Sequence, residues 1–554
     1  MHLGKKVIYQ IYPKSFYDSN GDGIGDLRGI IEKIPYIAKL NIDMIWFNPF
    51  FVSPQNDNGY DIADYRQIDP RFGTMDDFEE LVAKLKEINV DVMMDMVFNH
   101  CSTEHEWFKK ALAGDEKYMK YFYLRHAKAD GSLPTNWQSK FGGNAWEKFG
   151  DTDYYYLHLY DKTQADLDWH NPDVRQEAFE IVNFWREKGV KGFRFDVLNV
   201  IGKDEILVDS LDPIQEKSLY TDTPIVHEYI QELNQASFGK DPETITVGEM
   251  SSTTIPNSIA YTKASNHELS MVFSFHHLKV DYQDGEKWTN MPFDFMKLKN
   301  LFNEWQTKMD QNDGWQALFW NNHDQPWALN RFGDVGKYRV KAAQMLASAI
   351  HFLKGTPYIY MGEELGMMDP AYTSIQDYVD VECLNAYQEL LQKGLTKQAA
   401  FDLVKTKSRD NSRVPMHWDA SENAGFSKVK PWLKPTDQAK INVENELANG
   451  EIFNYYQKLI SLRKQEELIY AGHFQAELSE HPEVFAYQRY LNEKNEKLLV
   501  LNNFYANTCE IKLPPAFKNV AGKVLLGNYE TTGKVVQAAK VILRPYETLA
   551  IKFE

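Results

Sequence analysis

The chain has 554 residues, 43% apolar and 25% charged, ordinary globular values that set aside disordered, collagen-like and coiled-coil readings. Its 61 basic and 79 acidic residues leave a formal charge of −18 at pH 7, which repels nucleic acid and anionic lipid, so an anionic ligand would need a basic pocket of its own. The start MHLGKKVIYQIYP lacks an apolar core long enough for a signal peptide, and no run of about 18 apolar residues could cross a bilayer, so a cytoplasmic protein without a membrane or nucleic-acid partner is expected, as a monomer or weak homo-oligomer. Cys101, Cys383 and Cys509 are odd in number and far apart, which fits reduced thiols and gives no disulfide or zinc framework.

In chain order, short β-rich runs alternate with helical periodicity: VIYQIYP, an amphipathic stretch over 27–40, MIWFNPF, a second over 75–88, then DVMMDMVF. After His100 the rhythm breaks, and 101–168 is rich in aromatics, Gly, Asn and Asp without a clear strand of the same kind. It resumes with a helix over 172–188, GFRFDV, TITVGEM, LSMVFSF, ALFWNNHD, a helix over 338–353 and TPYIYMGEEL. Beyond 472, alternating strands separated by turn residues (VFAYQRYL, KLLVLNNF, VILRPYETLAIKF) predict an antiparallel β-domain. The fold class expected is α/β: a (β/α)8 barrel over 1–100 and 169–472, a lid inserted after strand 3 over 101–168, and a sandwich-like β-domain over 473–554.

Four of these strands stop on polar groups: DMVFNH (from Asp95 to His100), GFRFD (ending on Asp196), VGEM (with Glu249) and WNNHD (ending on Asp324). A parallel barrel gathers its chemistry at the C-terminal ends of its strands, so carboxylates from separated segments can converge there. One acid-capped strand alone is as well explained by a helix N-cap or a loop carboxylate. The four together, in this order, resemble the α-amylase family of retaining glycoside hydrolases.

Retaining hydrolysis needs one carboxylate as nucleophile and a second as acid and then base, roughly 5–5.5 Å apart. By motif match the resemblance gives the nucleophile to Asp196, the acid/base to Glu249 and transition-state stabilisation to Asp324. It also puts His100 and His323 on the sugar and Arg194 beside the nucleophile. In SPQNDNGYDI, Asp61 and Tyr60, with Arg409 and Arg413 of SRDNSR, match the clamp of the family's exo-acting glucosidases, Tyr60 lying beneath the terminal glucose. Phe141, in NWQSKFGGNAW, joins the substrate-binding candidates. Val197, directly after Asp196, matches the branch acting on α-1,6 and related linkages, although Val is also the default residue of a strand.

An early loop, DSNGDGIGD, spaces oxygens as Asp18, Asn20, Asp22, the Ile24 carbonyl and Asp26, with Gly23 at the turn. That is most of an EF-hand-like loop, lacking the twelfth-position glutamate because Gly29 stands there. A structural Ca2+ or Mg2+ is expected, with no organic cofactor, against a plain Asx-turn loop. The last discriminating stretch is FSFHHLKVDYQDGEKW, in which family α-1,6-glucosidases typically carry an acid at the position of His276. Here His276, His277, Lys279 and Lys287 bring donors and positive charge, which an anionic group on the sugar would require, so a phosphorylated disaccharide is the expected substrate. The alternatives are an α-1,6-glucosidase with the same catalytic set, and a non-catalytic transporter subunit, which would lack the carboxylates and carry a membrane helix.

Overall fold

The structure is a computed structural model that describes residues 2–554. Eight parallel strands form its central sheet: β1 (Ile8–Ile11), β2 (Met44–Phe47), β3 (Asp91–Val97), β4 (Gly192–Asp196), β5 (Ile245–Glu249), β6 (Met271–Phe273), β7 (Ala317–Leu318) and β8 (Thr356–Tyr360). Their order is β6-β5-β4-β3-β2-β1-β8-β7. This is the succession of a (β/α)8 barrel, and it explains why these strands are covered on both faces, as β4 is buried along its whole length.

The chain divides into two compact units. The first comprises residues 1–45, 275–378 and 397–554. In it β1 pairs with β8 through Ile8 and Tyr358, and β8 with β7 through Thr356 and Ala317. It also holds an antiparallel sheet in which His473–Glu477, Val484–Tyr490, Lys497–Asn503 and Thr548–Phe553 are successive neighbours. One face of that sheet buries Val484, Leu499, Leu501, Leu549 and Ile551 in a core of its own. The amphipathic stretch expected over 27–40 is two helices, Leu27–Glu32 and Ile34–Leu40. Pro35 sits in the first turn of the second, where its missing N–H is tolerated but a continuous helix is not.

The second unit comprises residues 46–274 and 379–396 and carries β3 to β6. The helix Met75–Glu87, which leads into β3, opens with a capping box between Thr74 and Asp77. The helix Pro172–Glu187, leading into β4, has Asn171 as N-cap and Pro at its first position. Register is set by Arg194 opposite Asp95 and by Arg194 opposite Val247, which brings the polar ends of three strands level. Between β3 and the Pro172–Glu187 helix lie two short helices and a three-stranded antiparallel sheet of Leu124–His126, Tyr154–Leu157 and Trp146–Lys148. Tyr123, Trp137, Trp146, Leu157 and Leu159 form its core together with Val197, Val200 and Tyr220. Among the described residues no helix is long and apolar enough to cross a membrane.

Candidate active site

The second unit contains a nearly dry carboxylate cluster built on one arginine. Arg194 Nη1 donates to Asp95 and to Asp196, both at 2.6 Å, and Nη2 donates to Glu249. The guanidinium carries 1% exposure and the Asp95, Asp196 and Glu249 side chains 0, 9 and 12%. Asp95 is also held by the Trp46 indole at 3.1 Å and the Tyr60 hydroxyl at 2.9 Å, so it is a fixed anchor that orients the arginine. Burial pushes the Asp196 carboxyl well up, Arg194 pulls it back, and the negative neighbours Glu249 and Asp95 push it up again. Three carboxylates around one cation thus leave Asp196 with a raised affinity for a proton.

His100 is buried and neutral, its pKa drawn down to about 4 by loss of solvent. Tyr160 lies 5.2 Å from its ring and Phe141 packs edge-on against Tyr160. Asp61 is fully buried and accepts from Ser53 Oγ and the Asn56 and Asp57 amides, so its oxygens hold the 53–61 loop in shape. Tyr60, expected beneath a sugar, ties its hydroxyl to Asp95 and Asn48. Cys101 is buried with its thiol pushed well up, as befits an inert structural cysteine.

Val197 departs from the default-strand reading. It follows the strand in the left-handed region at φ 36, ψ 42, capping the 3-10 turn Leu198–Val200. A β-branched residue there is strained, by about 1–3 kcal/mol, and its side chain is held by the aromatic core around Trp146.

The first unit contains a second constellation. Arg413 donates through Nη2 to Asp324 at 2.7 Å and through Nε to the His323 carbonyl at 2.7 Å, while Arg409 lies 3.5 Å from Asp324. His323 stands 3.2 Å from Asp324, is stacked with Tyr12 and has Gln10 at its Nδ1. Burial would raise the Asp324 carboxyl, but His323, Arg409 and Arg413 outweigh it and hold the group well below the usual range. Asp324 is thus a fixed anion. Tyr12 and Gln10 lay in a stretch readable only as strand β1, and no motif pointed to them.

The stretch after β6 also lies in the first unit, with a 3-10 turn over His276–Lys279. His276 corrects one expectation. It brings no positive charge, because burial, with some help from Lys279, lowers it to about 4 and leaves it neutral. His277 bonds the Phe319 carbonyl at 2.8 Å and packs on Phe302 and Phe319. The charge comes from lysines and from two residues the sequence did not single out. Asp281 receives Arg331 on both oxygens and also Lys407, all three side chains being 4–5% exposed. Burial, Arg331 and, to a smaller degree, Lys287 pull the Lys407 ammonium down against the support of Asp281, and the buried Asp369 is a second carboxyl on which both cations act. Lys279 and Lys287 are half-buried, Lys287 lying over the Trp288 ring at 4.6 Å.

In the early loop, Asp18 accepts from the Gly21 and Gly23 amides and Asp22 from the Ile24 amide, the pattern of an EF-hand-like turn. Asp26 differs, since it caps the helix Leu27–Glu32 through Gly29 and binds Ser19. Among the described residues no three His, Cys, Asp or Glu side chains are gathered into a metal cluster, so a cation here would have to draw on Asn20 and the Ile24 carbonyl as well.

Comparison with known proteins fits this geometry. The model of the α-amylase catalytic domain matches residues 10–472, and that of the α-amylase SusG C-terminal domain matches residues 484–549. The chain belongs to the α-amylase family and is a glycoside hydrolase. It is 48% identical to a trehalose-6-phosphate hydrolase of Bacillus subtilis, over 99% of this chain and 97% of the relative. An oligo-1,6-glucosidase of Bacillus cereus is 42% identical over 99% of both chains. The crystal structure of Bacillus licheniformis trehalose-6-phosphate hydrolase superimposes with a TM-score of 0.94 at 49% identity, covering 99% of each chain.

Proposed function

We propose that the chain hydrolyses trehalose 6-phosphate to glucose and glucose 6-phosphate with retention, through a covalent glucosyl-Asp196 intermediate. The observation that carries the chemistry is the grip of one buried arginine on both Asp196 and Glu249. Asp196 attacks the anomeric carbon while Glu249 gives its proton to the departing oxygen, and Glu249 then takes a proton from the water that releases glucose. The depressed Asp324, kept anionic by two arginines, suits a group that holds sugar hydroxyls and offsets the positive charge developing at the anomeric carbon. On the second unit His100, Asp61, Tyr60 and Phe141, and on the first His323, Arg409 and Arg413, are given sugar-binding roles by the family's motifs, and Lys279 and Lys287, backed by Lys407, meet the phosphate.

The two buried cations on Asp281 support the phosphorylated substrate, as do the two relatives named for it. Side-by-side turnover of trehalose 6-phosphate, trehalose and isomaltose tests the reading. Preference for the first by at least tenfold in kcat/KM is expected, and preference for isomaltose would replace it with the α-1,6-glucosidase reading.

The residues Asp18, Asn20, Asp22 and Asp26 with the Ile24 carbonyl offer hard oxygen donors suited to Ca2+ or Mg2+. Bound there, the ion would brace the loop and take no part in the chemistry. Excess Ca2+ or Mg2+ should raise the melting temperature and Asp22→Ala should cancel that rise. A melting curve indifferent to both ions and to EDTA would reduce the loop to a plain turn.

A further inference from the structure

Lys203 is wholly buried, at 0% exposure, three residues after the 3-10 turn Leu198–Val200. Its ammonium has three acceptors around it: Asn99 Oδ1 and the Val200 carbonyl, both at 2.8 Å, and the Asp166 carboxylate, an ion pair at 2.9 Å set off the hydrogen-bond axis. Three acceptors match the three protons of a charged lysine. Burial draws the ammonium down, and Asp166 works against that.

The consequence passes along the chain of donors. A lysine ammonium can only donate, so the Asn99 amide must turn its oxygen to Lys203 and its nitrogen away. That nitrogen faces His100 Nδ1 at 3.1 Å. A primary amide nitrogen also only donates, so Nδ1 must be the bare, accepting nitrogen. The proton of the neutral ring is therefore on Nε2, which faces the Tyr60 carbonyl at 3.2 Å, a proper acceptor for it. The Gln164 amide nitrogen is also 3.2 Å from Nε2. That nitrogen is a donor, since it gives a proton to Asp57 at 3.1 Å while the Asp161 amide donates to Gln164 Oε1 at 3.0 Å, so it makes no bond to a protonated Nε2; the Nε2 tautomer satisfies the Asn99 and Tyr60 contacts, two against the one with Gln164 that the other tautomer would make.

Without a cation behind it, the Asn99 amide could present either edge to the ring. Oxygen toward Nδ1 would select the other tautomer, and Nε2 would change from donor to acceptor.

We propose that Lys203 is a positioning residue that fixes, through Asn99, the tautomer of His100, so that the proton stands on Nε2, held by the Tyr60 carbonyl until a sugar oxygen takes that carbonyl's place. The role rests on the reading of His100 as a sugar-binding residue. A lysine that merely balances Asp166 would have no such effect on the ring.

The test is the pair substitution Lys203→Met with Asp166→Asn, which removes both buried charges together and so keeps the interior neutral even where Lys203→Met alone fails to fold. In spectra of protein labelled with 15N-histidine, the His100 signals being assigned by their loss in His100→Ala, the wild type should show a pyridine-like Nδ1 and a pyrrole-like Nε2. The pair variant should show the two nitrogens averaged. Its kcat/KM should fall roughly tenfold, mostly through KM, as for the loss of one oriented hydrogen bond. Placed in the His100→Ala background, the same pair should lower activity no further. An unchanged His100 tautomer in a folded pair variant, or losses that add in full to those of His100→Ala, would overturn the relay. Full activity in His100→Ala would instead overturn the reading of His100 and with it the purpose of the relay, a result told apart because the tautomer change would still be seen.

Discussion

Two buried ion clusters in this molecule have opposite stoichiometry. Around Arg194 stand three carboxylates, Asp95, Asp196 and Glu249. Around Asp281 stand two cations, Arg331 and Lys407, with Lys287 close enough to be felt. Both are nearly dry, so neither imbalance is blunted by water. A surplus of acid is relieved internally, by the raised proton affinity of Asp196, and that proton must leave before the carboxylate can attack. Two cations on one carboxylate have the sign that an external anion would relieve, which is the proposed part of the phosphate. On the proposed reading, the same physics with the sign reversed separates the part that breaks the bond from the part that selects what is broken.

The comparison breaks first at the acid-rich cluster. Asp196→Asn should lower kcat by about 10^4-fold or more, because a neutral amide cannot form the ester intermediate. The melting temperature should hold or rise, since one of three crowded negative charges is gone. An Asn variant with a few per cent of wild-type turnover would remove Asp196 from the role of nucleophile.

At the base-rich cluster, Asp281→Asn leaves Arg331 and Lys407 without their carboxylate and should destabilise the protein by about 3–5 kcal/mol. Burial alone would raise the Asp281 pKa, but Arg331 and Lys407 pull it below the ordinary value. Its contribution in the wild type is therefore complete above the ordinary carboxylate range and is lost as pH falls through the depressed value. The Asn variant should lack that acid-side loss. Its melting temperature should be partly restored by inorganic phosphate, and a variant indifferent to phosphate would mean that the cluster serves the fold alone.

Next in size, Lys279→Ala or Lys287→Ala should lower kcat/KM for trehalose 6-phosphate ten- to a hundredfold per true contact, about 1.5–3 kcal/mol for a charge-assisted hydrogen bond. An uncharged aryl α-glucoside should scarcely respond. Equal losses on both substrates would make the lysine a support of the turn that carries it.

The smallest effect concerns pH. Glu249 raises Asp196, so Glu249→Gln should move the acid limb of the rate profile to lower pH, measured with a leaving group that needs no protonation. A limb that stays in place would mean that Glu249 does not raise Asp196.

How much of this could be read from the sequence follows from how each residue gets its partner. Asp196 and Glu249 end strands, and His100 and Asp324 follow theirs by three and six residues, so a motif of five or six letters places them. The two-helix break over 27–40 was also local, visible in Pro35 once its position is weighed. Lys407 meets Asp281 across 126 positions, and Lys203 meets Asn99 across 104, and no periodicity announces such pairs. The charge of His276 was misjudged because burial, which sets it, is a property of the folded chain. The left-handed turn at Val197 was invisible for a related reason: a valine ordinarily argues for more strand, and only packing with Trp146 and its neighbours overrules that preference.

That turn makes the barrel and its excursion harder to exchange than their sequence separation implies. Val197 and Val200, the residues that redirect the chain straight after Asp196, have their side chains in the hydrophobic core of the 101–168 segment. A chimera that grafts this segment from a relative would alter the packing that holds a strained backbone one bond from the proposed nucleophile. The transferable unit is therefore residues 101–168 together with 197–200 and Tyr220, and grafts that respect that set should keep the orientation of Asp196 where grafts cut at the apparent boundary lose it.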